Sequence, residues 1–99
     1  MRRILVQAIG ETRSSHRGRL DIIANILDSS GEAVRKTAIM YRCNLSFRQL
    51  QVYLRFLLKK ELLKTFTEHR SAKHRFFETT EKGMDFLKAY RSLEALMSV

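Results

Sequence analysis

The chain has 99 residues, 44% of them apolar, a net charge of +9 and a pI near 10.3. That is enough apolar material for one modest core, so whole-chain disorder is excluded, and no apolar run approaches the roughly 20 residues a membrane-spanning helix needs. The single Cys43 excludes an internal disulfide and fits a reducing, cytoplasmic setting. The excess charge is concentrated. Residues 35–75 hold eleven Lys/Arg and two acids, whereas the remainder is balanced at eight and eight. A concentrated cationic segment points to a polyanionic partner, with nucleic acid the leading candidate.

Residues 1–16 read as an N-terminal extension. Met1–Ile9 has a basic start but too short an apolar stretch to read as a signal peptide, Ile4–Ile9 could form a short strand or pack loosely on the domain, and Glu11–His16 reads as a polar linker. Arg17–Ser29 is expected to be the first helix. Leu20, Ile23, Ile26 and Leu27 follow helical spacing, Ile22 and Ala24 widen the apolar face, and Ser14 or Ser15 caps the start. Ser29-Ser30-Gly31 ends it, with Gly31 able to take positive φ. A brief strand within Glu32–Arg35 leads to a short helix, Lys36–Cys43, with Ala38, Ile39 and Tyr41 or Met40 inward, and Asn44-Leu45 forms a turn.

Ser46–Lys60 is the most legible stretch. Ser46 and Gln49 make a capping box, in which each side chain accepts a hydrogen bond from the other's backbone N–H. Phe47, Leu50, Tyr53, Leu54, Leu57 and Leu58 fall on one arc, expected to be core. Arg48, Gln51, Val52, Arg55 and Lys59 fall on the other, and no acid occurs between Glu32 and Glu61. Ordinary surface helices mix signs, whereas this face offers the side-chain types that reach phosphates and base edges in a DNA major groove. Preceded by a short helix and a tight turn, it reads as the second helix of a helix-turn-helix.

Leu62–Thr67 and Arg75–Thr79 read as the strands of a hairpin with a basic tip at residues 68–74, a wing. Thr80-Glu81-Lys82-Gly83 opens a last helix running to about Met97, with Thr80 as N-cap. Its stripe of Phe86, Leu87, Tyr90, Leu93, Leu96 and Met97 is long for so small a domain, so its distal part predicts homodimerisation. The fold class is thus mainly α with a small β-hairpin (α+β), divided into an extension (1–16), a winged helix-turn-helix domain (17–79) and a dimerisation helix (80–99).

Three stretches, Arg19–Leu27, Lys36–Ser46 and Thr80–Gly83 with Phe86–Tyr90, resemble the archaeal winged helix-turn-helix family that includes the small Sulfolobus chromatin-type DNA-binding proteins and related transcriptional regulators. The resemblance covers roughly residues 17–97, and Lys-Thr-x-Ile-Met-Tyr followed by Asn-Leu-Ser is its more specific part. It implies helix, short strand, two helices, wing and C-terminal helix. It also implies double-stranded DNA binding by a homodimer, with Ser46–Lys60 as recognition helix and residues 68–75 as wing tip. The chain departs from the family in having Glu61 where Gly is usual, a longer and more basic wing, residues 1–16 in addition, and a shorter C-terminal helix. Since a non-Gly residue in a left-handed cap costs about 1 kcal/mol, Glu61 predicts a different helix exit.

The function expected is a transcriptional regulator or a nucleoid-associated protein. Arg48, Gln51, Val52 and Arg55 are candidates for the groove, Lys36, Arg42, Lys59, Arg70, Lys73 and Arg75 are candidates for phosphates, and Ser46 is a further DNA-binding candidate. Alternatives are a winged-helix protein-interaction module of the transcription machinery and an RNA binder. RNA is disfavoured because only Phe56, at the edge of the outer face, is a candidate stacking residue. No catalytic constellation is readable. His16, His69 and His74 lack metal-ligand spacing, so neither metal nor cofactor is expected, and Cys43 reads as a buried small hydrophobe.

Overall fold

The computed structural model describes residues 17–68 and 71–98, with residues 68 and 71–73 described by their backbone alone. In order come α1 (Arg19–Ser29), β1 (Val34–Arg35), α2 (Lys36–Cys43), α3 (Phe47–Lys59), β2 (Leu63–Glu68), β3 (Ser71–Thr79) and α4 (Glu81–Met97). The three strands form one antiparallel sheet in the order β1-β3-β2. The expected extension, the Ser14 and Ser15 caps and the Arg70 contact lie on residues outside those described.

The core is built from the apolar faces of all four helices. Ile22, Ile23, Ile26 and Leu27 of α1 meet Ile39 of α2, Leu50, Leu54 and Leu57 of α3, Leu63 and Phe77 of the sheet, and Leu87 of α4. Two expectations for α1 need correction. Its N-cap is Gly18, whose N–H donates to Asp21 Oδ2 at 3.1 Å. Leu20 is 54% exposed, because the buried stripe runs through Ile22, Ile23 and Ile26 instead. At the other end Ser30 is the C-cap with φ −105°, and Gly31 does not take positive φ. Ser30 is fully buried, and its hydroxyl donates to Ile26 O at 2.8 Å. The same carbonyl also accepts the Ser30 N–H at 3.1 Å, and the Gly31 N–H reaches Asp28 O at 3.4 Å, so the helix end closes without a left-handed glycine.

The turn between α2 and α3 is left-handed at Asn44 (φ 53°, ψ 53°), a residue type that tolerates this region. The N–H of Leu45 reaches back to Met40 O at 3.1 Å and closes the helix end. Arg17 clamps the same turn from outside, donating to Cys43 O at 2.7 Å and Asn44 O at 3.2 Å. Of the α2 alternatives, Met40 is half-buried and Tyr41 is exposed.

The exit of α3 repeats this geometry. Glu61 sits at φ 60°, with its N–H on Leu58 O (3.1 Å) and the Leu62 N–H on Leu57 O (3.0 Å). The left-handed exit is therefore kept without glycine, and the strain is carried by Glu61. Lys82 helps to close this end by donating to Lys60 O at 2.9 Å.

β2 and β3 begin their pairing at Leu63 with Thr79 and continue to Thr67 with Arg75, with an irregularity before Glu68 pairs with Ser71. The hairpin is thus longer than its apolar composition indicated, since β3 extends back through residues 71–74. Phe66 and Phe76 stack across it at 5.9 Å, and Lys64 pairs with Glu78 at 3.5 Å. The helix α4 starts at Thr80, whose hydroxyl accepts from the Gly83 N–H at 3.0 Å. It lies along α1, tied by Tyr90 to Asp21 and by Arg91 to Asp28 (2.7 Å).

Candidate nucleic-acid interface

The outer face of α3 is exposed as its periodicity indicates. Arg48, Val52, Arg55 and Lys59 are exposed and Gln51 is half-buried. The capping box forms, with the Gln49 N–H on Ser46 Oγ (3.2 Å) and the Ser46 N–H on Gln49 Oε1 (3.0 Å). Ser46 is thus occupied in holding the first turn of α3.

Beside that face runs an open groove of about 270 Å³ lined by Lys36, Gln51, Leu54, Arg55, Leu58, Thr65, Arg75 and Phe77. It joins the start of α2, the outer side of α3 and the base of the hairpin. A second depression of about 380 Å³ continues past Lys36 and Arg75 to Arg35, Thr37 and His74. The pairing of Val34 with Phe77 and Arg35 with Phe76 sets this spacing, because it pins the start of α2 against β3. The α2 N-terminus has no side-chain cap and no acid in its first turn, and Arg35 and Lys36 add two cations at this positive end of the helix dipole. This is chemistry suited to a phosphate.

The structure therefore brings Lys36, Gln51, Arg55 and Arg75 together. Arg48, Val52 and Lys59 lie on the same helix but outside the groove lining. Arg42 is turned away: its guanidinium donates to Ser29 O at 3.2 Å, at the end of α1. The Lys73 side chain and Arg70 fall outside what is described. Sequence reading missed Arg35, which neighbours Lys36 at the mouth; the detectable signal was two consecutive cations opening a helix without an N-terminal acid.

Phe47 also departs from expectation. Its place on the apolar arc indicated core, yet it is 57% exposed, and the Lys36 ammonium sits over its ring at 4.5 Å. As the first residue of α3 it projects past the end of the core. Tyr41 is exposed as well, whereas Phe56 is half-buried. The argument against RNA from a shortage of exposed aromatics therefore does not hold.

Cys43 is a free, buried thiol, 3.4 Å from Ser29 Oγ. Burial pushes it up from its ordinary value, against the opposing effects of the Ser29 hydrogen bond and of Arg17 and Arg42. Among the described residues no cluster of three or more His, Cys, Asp or Glu is placed to hold a metal ion, and no helix is long and apolar enough to cross a membrane.

The family model for winged helix-turn-helix proteins matches residues 16–98. The chain belongs to the winged helix-turn-helix family. Among solved structures it is similar to Sso10a-2, a DNA-binding protein from Sulfolobus solfataricus, with 25% identity, a TM-score of 0.72 and 81% of each chain covered. It shares the winged-helix fold with MepR of S. aureus, solved as a DNA complex, at 14% identity and TM-score 0.70, covering 96% of this chain and 82% of that one. It shares it too with the adhesin competence repressor AdcR of Streptococcus pyogenes, at 18% identity and TM-score 0.65, covering 93% and 70%. No curated protein matches the chain. In this winged helix-turn-helix, α2 and α3 are the helix-turn-helix and the β2–β3 hairpin is the wing.

Along α4, Leu87 is buried and Phe86 and Tyr90 pack against the protein's own core. Leu93, Leu96 and Met97 are exposed, Leu96 at 81%. Of the stripe, Phe86, Leu87 and Tyr90 close this chain's own core, and the distal Leu93, Leu96 and Met97 are exposed.

Proposed function

We propose that the protein binds double-stranded DNA as a homodimer, acting as a transcriptional regulator or a nucleoid-associated protein in the cytoplasm. The observation that carries this is the groove in which Lys36, Gln51, Arg55 and Arg75 converge from three elements beside an outer helix face free of acids. In this reading α3 enters the major groove, with Arg48, Gln51, Val52 and Arg55 toward base edges. Lys36, Lys59 and Arg75 neutralise phosphates, together with Arg70 and Lys73 of the wing. Arg42 and Ser46 serve the fold more than the ligand, given the bonds they make. Leu93, Leu96 and Met97 would pair with a second copy, since an exposed apolar end on a long helix is best covered by its own kind.

The test is fluorescence anisotropy with a mixed-sequence 30-base-pair duplex and with the protein's own upstream region, each across a salt series. A steep salt slope with equal affinities identifies backbone-dominated, nucleoid-type binding. Tighter binding to the upstream duplex that persists at higher salt identifies a sequence-specific regulator. No binding to either at low salt rejects the proposal and leaves a protein-interaction module.

A further inference from the structure

Two apolar side chains of α3 are exposed, Val52 (60%) on the cationic face and Phe47 (57%) at its edge. At 100° per residue Phe47, Gln51, Arg55, Arg48 and Val52 follow one another around an arc of about 140°. The two apolar groups therefore bracket the polar ones on a single face. They stand five residues apart, about 7.5 Å along the helix axis, which matches roughly two base-pair steps of 3.4 Å. Isolated surface apolar residues are ordinary. Here, however, Val52 stands among the cations of the outer face, Phe47 touches the groove-lining Lys36, and Phe47 lies in the first turn, the part of a recognition helix that meets base edges.

Phe47 is also held in place. The Lys36 ammonium covers one side of its ring at 4.5 Å, and Lys36 lines the groove, so the cation and the ring are set relative to one another before any ligand arrives. In the major groove the apolar feature available to such side chains is the C5-methyl of thymine. Gln51, between them, has the donor and acceptor to read adenine N6 and N7.

We propose that Phe47 and Val52 are specificity-determining residues that contact thymine C5-methyl groups and bias this protein toward A·T steps. This rests on the duplex-DNA reading above, and the test separates the two. An alternating 30-base-pair dA·dT duplex and the same duplex built with dU differ in major-groove chemistry by the methyl alone, and every register offers the contact. Burying one methyl is worth about fourfold in affinity. The full-length protein should therefore bind the thymine duplex about four- to sixteenfold more tightly than the uracil duplex at one salt concentration, for one or two methyls buried. Phe47→Ala and Val52→Ala should each lower that ratio, and the double variant should bring it close to one, with the salt slope unchanged because no cation is removed. Both side chains are exposed, and circular dichroism confirms that the variants are folded. Equal affinity of the unaltered protein for the two duplexes overturns the proposal. So does a double variant that loses affinity for both duplexes while keeping the ratio. Failure to bind either duplex at low salt overturns the DNA reading itself, and this inference with it.

Discussion

Glu61 is the place where a single substitution should make this protein more stable. It sits at φ 60°, where an L side chain brings Cβ close to the following carbonyl oxygen at a cost of roughly 1–2 kcal/mol. Both polar contacts of this residue are backbone ones. Its N–H donates to Leu58 O, and its carbonyl accepts from Thr80 Oγ1 at 2.7 Å. The side chain is exposed and belongs to neither ion pair found among the described residues. Glu61→Gly therefore keeps every hydrogen bond and removes the strain. The freedom glycine adds to the unfolded chain offsets about 0.4–1 kcal/mol of the gain. The net expectation is a stabilisation of about 0.5–1 kcal/mol, or roughly 3–6 °C in Tm for a domain of this size. Losing an acid beside Lys59, Lys60 and Lys64 acts in the opposite direction, so the control is Glu61→Ala, which loses the same charge but keeps a Cβ. In urea denaturation at moderate salt, the glycine variant should exceed the alanine variant by about 1 kcal/mol. If alanine proves as stable as glycine, the left-handed exit is not under strain and the reasoning fails.

Further outcomes are expected at the α4 start, in the buried core and at the groove. Gly83→Ala should destabilise by about 1–3 kcal/mol in the same assay, because a Cβ there would lie 2.2 Å from Leu62 O and 2.5 Å from Thr79 Cγ2. Thr79→Val should cost about 1–3 kcal/mol in thermal denaturation, since it removes the buried hydroxyl that donates to Leu27 O at 2.6 Å. In anisotropy titrations Arg55→Ala should weaken DNA binding by about 1–3 kcal/mol if it reads a base, whereas Arg75→Ala should lower the salt slope by about one unit. Cys43 should react with a thiol reagent far more slowly in native protein than in denaturant at pH 8. Burial both blocks access and raises the pKa, leaving the unreactive thiol form, and a native rate equal to the denatured one would contradict this.

What could be read from the residues in advance follows from where local chemistry decided the outcome. The α3 capping box and the α4 cap at Thr80 are short-range hydrogen bonds between residues three apart, and both formed as the spacing indicates. The errors arose where distant parts of the chain decide. Leu20 and Phe47 fit an apolar arc, but each lies at a helix start that extends past the core, so periodicity alone overstated their burial. Residues 71–74 look polar enough for a loop, yet cross-strand pairing draws them into β3. Gly31 invited a left-handed cap, but the backbone bonds from Ser30 to Ile26 O and from Gly31 to Asp28 O close the helix end without one. The cationic face of α3 was legible, whereas its convergence with Arg75 required the sheet register, and the bond from Arg42 to Ser29 O was invisible to any local pattern.

The junction where the hairpin meets α4 has a mechanical consequence. Thr80 N–H donates to Leu62 O at 3.1 Å, Thr79 N–H to Ser30 O at 2.8 Å, and Gly83 rests directly on Leu62 O. The roots of both wing strands, the end of α1 and the first turn of α4 are thus tied into one joint. In a dimer assembled on the far end of α4, that helix would work as a rigid lever arm. Its crossing angle with the partner would translate directly into the separation of the two recognition helices. Half-site spacing would then be written into the pairing of Leu93, Leu96 and Met97, and substitutions there would retune which DNA spacing is accepted without touching a DNA-facing residue.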